Sequence, residues 1–427
     1  MLIDFSVTNY RSIQARQTLT LAASKGLKGH EALNTFEAGA REKMPRLLRS
    51  AVLYGPNASG KSTLIHALKF MQDRVLNSQK ESQAGDEIDV VPFKLTQASR
   101  LADSEFELTF VEQGVRYEYG FRCNRQRFME EWLFAYPLGR AQKWFHRVYD
   151  PVAEKEIYKF SGAFEGDRKR QDWSAQTRQN ALFLSTAIQL NNSQLKPAFE
   201  WFKERLRVVD SPKGLNASYT MKRCKDESDK AKVIDFLNAA DLSIADILFK
   251  KSIFSPEVLP RNLPVQVREE FSRQMDGKEI TSVKFIHNDM QTNAPIEFSE
   301  DEESDGTRAL FAFAGPWLDV TANERVLVMD ELDTSLHPLL VQHLVKLLHH
   351  TGTKAQLIFT THDTTLLSQK LLRSDQVWFM EKDKSRATCL YPLSDFSPRE
   401  NEAVERGYLN GRYGGIPFLR DLDFYGL

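Results

Sequence analysis

Apolar and polar positions fall into three regimes along the chain. Residues 2–8 alternate, with Ile3, Phe5 and Val7 on one side, and are expected to form a half-buried strand. A second strand is expected over Gln17–Ala22, while residues 24–46 are polar, carry Gly26, Gly29 and Gly39, and read as a loop. Ser50–Tyr54 is a short apolar run, the mark of a strand buried on both faces. Residues 62–70 then place apolar side chains at helical spacing. Beyond a polar loop at Asn77–Glu87, the segments Ile88–Leu95, Glu105–Val111, Val115–Phe121, Phe128–Tyr136, Lys143–Tyr149 and Glu156–Phe160 are divided by Gly, Asn and Asp turns, which predicts an antiparallel sheet. From Gln176 the period turns helical, through Ala181–Asn191, Leu195–Leu206 and Lys230–Ala240. Residues 241–280 show no readable period, and strand-like character resumes at Ser282–Ile286. A helix over Ala309–Val320, an apolar strand from Arg325, a helix through His350 and a buried strand from Lys354 follow. No heptad pattern runs for three repeats, so no long coiled coil is expected.

The chemistry sits at the ends of the apolar runs. Gly55-Pro56-Asn57-Ala58-Ser59-Gly60-Lys61-Ser62 reads G-x-x-x-x-G-K-S between a strand and a helix, the context of a phosphate-binding loop. Backbone N–H groups of such a loop converge on phosphate oxygens, and the helix N-terminus adds partial positive charge. Lys61 is expected to reach the β- and γ-phosphates of a nucleotide, and the Ser62 hydroxyl to ligate Mg²⁺. The strand from Arg325 ends in Asp330-Glu331. Carboxylates at the end of a buried strand are costly unless a cation uses them, so Asp330 is expected to hold Mg²⁺ and Glu331 to polarise an attacking water. The strand from Lys354 ends in Thr361-His362-Asp363, where His362 is placed to bond a γ-phosphate. Asn9-Tyr10-Arg11-Ser12 ends the first strand, and either a nucleotide contact or a surface turn fits it. Glu303-Ser304-Asp305-Gly306-Thr307 opens the Ala309–Val320 helix, and such an N-terminus can also bind phosphate. It stands so close in sequence to Asp330 that it is expected to serve a nucleotide on another subunit.

Composition narrows the setting. At 427 residues the chain suffices for two or three domain-sized units. Its 41% hydrophobic and 27% charged residues are those of a globular protein, and a net charge of −1 supplies no global field toward nucleic acid or membrane. Arginines and lysines thread residues 122–170 (Arg122, Arg125, Arg127, Arg140, Lys143, Arg147 and Arg168–Arg170), and a solvated sheet edge is the better reading than a nucleic-acid patch. Three cysteines far apart make neither a disulfide framework nor a metal pair, which fits a reducing cytoplasm. Neither a signal peptide nor a membrane span is expected.

The ordered set resembles the ABC-type ATPase heads of the SMC and RecF-like group, and among them the coiled-coil-poor bacterial AAA-family ATP-binding proteins of abortive-infection and anti-phage systems (RloA-like, AbiL-like). The matching pieces are Asn9–Ser12, the loop 55–62, Glu303–Thr307 as signature, Asp330-Glu331, Asp333–His337 as D-loop, Thr361–Asp363, and the tail Gly407–Pro417. The resemblance implies an α/β P-loop head with an antiparallel β lobe and a helical insert, divided as 1–180, 181–280 and 281–427. It implies ATP and Mg²⁺ as cofactors and a homodimer or higher homo-oligomer closed around ATP. Each ATP would meet Arg11, Gly55, Asn57, Ser59, Gly60, Lys61, Ser62, Thr63, Asp330, Glu331 and His362 of one subunit, with Ser304 and Gly306 supplied by the other. Gln189 is the implied Q-loop metal contact. The signature departs from the transporter pattern Ser-Gly-Gly-Gln, and no acid-rich nuclease domain follows His362.

Three readings follow. The first is an ATPase that controls a separate effector, a nuclease or toxin, in an anti-phage system. The second is a DNA-repair or recombination ATPase. The third is an ATP-dependent scaffold with little turnover.

Overall fold

The computed structural model describes residues 1–39, 44–255, 264–275, 277–334, 336–350, 352–367, 371–399 and 402–417. The chain forms two compact units. One comprises Met1–Ser211 with Val320–Leu427, the other Pro212–Asp319.

In the first unit, the alternation of residues 2–8 becomes β1 (Leu2–Thr8), followed by β2 (Gln17–Thr20). The stretch expected as loop carries a one-turn helix, Glu31–Asn34, and a small hairpin of β3 (Thr35–Glu37) and β4 (Arg46–Leu48). This is a correction: Phe36, Leu47 and Ala38 pack against Ile3 and Val111, and three apolar side chains among polar ones gave no readable period. The apolar run is β5 (Ser50–Tyr54), buried throughout. The helix Lys61–Asn77 follows, burying Leu64, Leu68, Met71 and Val75 at helical spacing.

The segments from residue 104 form β6 (Ser104–Glu112), β7 (Val115–Cys123), β8 (Phe128–Tyr136), β9 (Gln142–Asp150) and β10 (Lys155–Phe160). With β1 and β2 they make a seven-stranded sheet in the order β10-β9-β8-β7-β6-β1-β2, and every pair is antiparallel. Ile88–Leu95 does not join it. Pro92 has no N–H to give a ladder, and the neighbouring polar groups are taken elsewhere: Val91 O accepts from Arg11 N, Ile88 N donates to Arg125 O, and Phe93 N donates to Asn9 Oδ1. The helical stretch after Gln176 is shorter than expected, with helices at Phe183–Gln189 and Lys196–Glu200 and a π-helical turn over Trp201–Arg205. It ends in β11 (Leu206–Val209).

The second unit is not purely helical. Beside the helices Ser218–Arg223 and Glu227–Asn238 it holds an antiparallel sheet of β12 (Asp246–Ile253), β13 (Glu279–Asn288) and β14 (Pro295–Ser299). Most of β12 is exposed, so its sequence carries little alternation to read. Most of the helix Asp305–Ala322 also belongs here.

The chain returns to the first unit with β15 (Val326–Met329), β16 (Gln356–Thr360), β17 (Val377–Lys382) and β18 (Thr388–Pro392). Together with β5 and β11 they form a second sheet, ordered β11-β15-β16-β5-β17-β18, in which all pairs but the last are parallel. The α/β class and the antiparallel lobe expected from the sequence are both present. Among the described residues the longest helix has 18 residues, and no long coiled coil occurs. Nor is any helix among them long and apolar enough to cross a membrane.

Candidate functional site

Register in the parallel sheet decides what lies beside what. Leu53 pairs with Thr360, Val52 with Phe359, and Phe359 with Met329. The glycine loop after β5, the carboxylates after β15 and the histidine after β16 therefore emerge side by side at one carboxyl-terminal edge. In open α/β sheets that edge is where ligands bind.

Two glycines are required by contacts. A Cβ on Gly55 would stand 2.3 Å from the Met380 carbonyl oxygen of β17. Gly60 has φ +114°, and a Cβ there would lie 2.2 Å from Thr388 Oγ1. The loop is thus pressed against β17 and β18, which leaves no room for side chains. Lys61 is buried, and its Nζ donates to the carbonyls of Gly55 (2.6 Å) and Pro56 (3.3 Å). Burial lowers its pKa, and the negative charges of Asp330, Glu331 and Asp333 partly offset this. Those carboxylates are accordingly electrostatic neighbours of the ammonium. Ser62 and Thr63 open the helix; Thr63 Oγ1 accepts from Ser12 Oγ at 3.0 Å.

Asp330 is buried, whereas Glu331 is exposed. Asp330 Oδ1 accepts from Thr360 Oγ1 at 2.5 Å, and Glu331 N donates to the same hydroxyl at 2.7 Å. Glu331 has φ +49°, a left-handed conformation that costs a non-glycine residue on the order of 1–2 kcal/mol. Its Oε2 accepts from Thr334 Oγ1 at 3.2 Å. Asp333 Oδ2 accepts from the His362 backbone N–H at 3.1 Å, tying the segment after β15 to the histidine loop. Ser335, inside the expected D-loop, lies outside the described residues. The His362 side chain is exposed and lines a cavity of about 530 Å³ together with Gly55, Pro56, Asn57, Ser59 and Lys382. Glu381, Tyr408, Ile416 and Pro417 complete that wall, and the last three bring the tail expected from the resemblance to the loop.

The other expected residues are placed as follows. Arg11 reaches the loop's helix: its Nη1 bonds His66 Nδ1 at 2.8 Å, one turn beyond Ser62. Asn9 is a structural residue. It is buried, its amide donates to the carbonyls of Ser99, Ala102 and Asp103, and its Oδ1 accepts from Phe93 N. Gln189 is not brought to the loop. It is exposed at the end of the Phe183–Gln189 helix, which bonds Val75, Ser78 and Gln79. Val75 lies 14 residues beyond Lys61, about 21 Å along the helix at 1.5 Å per residue. Ser304 and Gly306 belong to the second unit, where Ser304 Oγ accepts from Thr307 N (3.1 Å) and caps the helix that Asp305 and Gly306 begin.

Sequence reasoning missed two hydroxyls, those of Thr388 and Thr360. Thr388 Oγ1 donates to the Ser59 carbonyl (2.8 Å), accepts from Lys382 Nζ (2.9 Å) and lies 2.9 Å from Ser12 Oγ. Ser12 and Thr388 thus clamp the glycine loop from outside, and Thr360 holds the Asp330 carboxylate and the Glu331 amide. A lone threonine far from any motif carries no sequence signal of such contacts; Thr360 could have been suspected only as a polar residue ending a buried strand.

Four of the arginines of 122–170 face carboxylates. Arg122 faces Glu130 at 3.4 Å, Arg125 faces Glu87 at 2.5 Å, and Arg127 and Arg147 both face Glu156, at 2.8 and 3.0 Å. Cys123, Cys224 and Cys389 are free thiols.

A family model described as "AAA domain, putative AbiEii toxin, Type IV TA system" matches residues 50–368, which spans the glycine loop, the carboxylates and the histidine. Among solved structures, the chain is similar to an SMC head domain from Thermotoga maritima, with 12% identity and a TM-score of 0.40 over 92% of this chain and 98% of that one. It is also similar to an SMC head bound to the C-winged helix domain of ScpA, with 10% identity and a TM-score of 0.36 over 92% and 97%. No curated protein matches.

Proposed function

The chain belongs to the AAA_21 family of AAA domains, and from that premise we propose that it binds and hydrolyses ATP with Mg²⁺ at the shared strand edge and, as an ATP-closed homodimer, controls a separate effector protein. The observation that carries this reading is the convergence of Lys61, Asp330, Glu331 and His362 at the ends of three adjacent parallel strands.

The donor set fits Mg²⁺. Among the described residues no group of three or more His, Cys, Asp or Glu side chains could cage a metal, and Mg²⁺ in nucleotide sites takes one or two protein oxygens beside phosphate and water. Ser62 Oγ and Asp330 are those oxygens. When bound, the ion neutralises charge on the β- and γ-phosphates. The rest falls to the protein. Backbone N–H groups of Ser59–Ser62 cradle the β-phosphate. Lys61, whose ammonium rests on the loop's own carbonyls, exchanges them for phosphate oxygens. Glu331 accepts a proton from the attacking water, and His362 donates to the γ-phosphate. Arg11, Asn57 and Thr63 flank the nucleotide. Ser304 and Gly306 of the partner subunit present a helix N-terminus to it.

The effector reading draws on the toxin system in the family description; a nuclease or toxin is the kind of partner it favours. The pairing of Arg122, Arg125, Arg127 and Arg147 with carboxylates speaks against the DNA-repair alternative. Glu331→Gln tests the clamp. With Mg²⁺ and ATP this variant is expected to accumulate as a dimer by light scattering; if it stays at the mass of the nucleotide-free protein, the closed dimer is wrong.

A further inference from the structure

One buried hydroxyl serves both acidic residues, the side chain of Asp330 and the backbone of Glu331. Thr360 ends β16 and is fully buried. A hydroxyl has a single proton, and an ionised carboxylate only accepts, so the proton of Thr360 Oγ1 goes to Asp330 Oδ1 at 2.5 Å. A lone pair on the same oxygen accepts from Glu331 N at 2.7 Å. The Thr360 carbonyl accepts in turn from Leu332 N at 3.1 Å. Three consecutive residues, 330 to 332, are thereby fixed to one residue of the neighbouring strand. The consequences differ for the two acids. Asp330 is fixed through its side chain: with Oδ1 engaged, Oδ2 is the oxygen left to face a cation. Glu331 is fixed through its backbone: the amide bond holds the left-handed turn at φ +49°, which sets the direction in which its side chain leaves the sheet.

We propose that Thr360 is the positioning residue that couples the metal-facing carboxylate to the water-activating one. This rests on the reading of the site as an Mg²⁺-dependent ATPase. Thr360 touches neither nucleotide nor metal; it acts through Asp330 and Glu331. A hydroxyl at this position is what the geometry requires, because a single atom must donate on one side and accept on the other. Valine has the volume and β-branching of threonine but neither function, and serine has both functions without the methyl group.

The test uses the full chain and compares Thr360→Val with Thr360→Ser. Mn²⁺ serves as the metal probe, titrated by electron paramagnetic resonance in the presence of a non-hydrolysable ATP analogue. Thr360→Val is expected to bind ATP in EDTA as the wild type does, because that binding belongs to the glycine loop. Its Mn²⁺ affinity and its kcat are each expected to fall by about 10- to 100-fold, the usual effect of removing a group that orients a metal ligand, while the KM for ATP changes by less than about twofold. Thr360→Ser is expected to restore both to within about threefold. Wild-type Mn²⁺ affinity in Thr360→Val overturns the proposal, and so does a Thr360→Ser variant as impaired as the valine one. Should the valine variant fail to fold, Thr360→Ala is read by the same measures. A wild type that binds Mn²⁺ with the analogue but releases no phosphate would remove the hydrolysis reading and leave the Mn²⁺ comparison to decide on Thr360.

Discussion

Adding one methyl group at Gly60 should separate nucleotide binding from folding. Gly60 has φ +114°, a region L side chains rarely adopt, and a Cβ there meets Thr388 Oγ1 at 2.2 Å, Thr388 Cγ2 at 2.8 Å and Ser12 Oγ at 3.0 Å. Two costs follow. Holding alanine at this φ costs on the order of 1–3 kcal/mol. Moving Thr388 aside gives up its bonds to Ser59 O and Lys382 Nζ, at about 1 kcal/mol each. The loop lies on the surface of the sheet and need not unfold the core, so it escapes by leaving its phosphate-cradling conformation. The cost then appears in binding: about 3 kcal/mol raises the Kd for ATP on the order of 100-fold. Isothermal titration with Mg²⁺ and the analogue measures it, with a melting curve as control. Gly60→Ala combined with Thr388→Ala removes the colliding atoms and should recover only part of the loss, because the φ strain remains. Wild-type affinity in Gly60→Ala, or full recovery in the double variant, would refute the reasoning.

Other consequences can be checked apart from nucleotide. His349, on the helix Pro338–His350, is buried with Nε2 3.0 Å from Ser50 Oγ, and burial, with Arg49 next, lowers its pKa to about 3. A folded pKa below the unfolded value of about 6.5 means that the unfolded chain binds the proton first, so stability falls as pH drops from 6.5 toward 3, by about 2 kcal/mol at pH 5. In urea unfolding His349→Gln should lose that part of the acid slope; an unchanged slope would contradict the assignment. Glu131 is buried and accepts from Phe183 N, Leu184 N and Tyr119 Oη, with Arg147 at 3.8 Å. Glu131→Leu strands those groups and should cost about 3–5 kcal/mol; a loss below about 1 kcal/mol would show that the network relaxes. The carboxylate partners of Arg122, Arg125, Arg127 and Arg147 predict no duplex DNA binding at low salt through those four residues, and an ATP-strengthened, salt-sensitive complex lost in Arg122→Ala with Arg125→Ala would reverse that.

Legibility followed range. The glycine loop, the carboxylate pair and the strands β6 to β10 were readable because their signals are local: fixed motif spacing, apolar runs and alternation punctuated by turns. β3 and β4 were not, because three residues each are too few to show a period, and β12 was not, because most of its side chains are exposed. Ile88–Leu95 misled in the other direction: an apolar run with Pro92 in it was spent on loop contacts with Asn9, Arg11 and Arg125. Gln189 was assigned by analogy; it ends exposed on a short helix whose first turn packs against the far end of the Lys61–Asn77 helix. Thr360 and Thr388 meet their partners across 30 and 329 positions of sequence, and no local pattern encodes such contacts.

The central claim is tested most directly by phosphate release from the purified protein with Mg²⁺ and ATP, compared with Lys61→Ala and Glu331→Gln. The account predicts steady release by the wild type, loss of both binding and release in Lys61→Ala, and retained binding with release lowered by at least about 100-fold in Glu331→Gln. Undiminished release by Glu331→Gln, or tight ATP binding by Lys61→Ala, would contradict it.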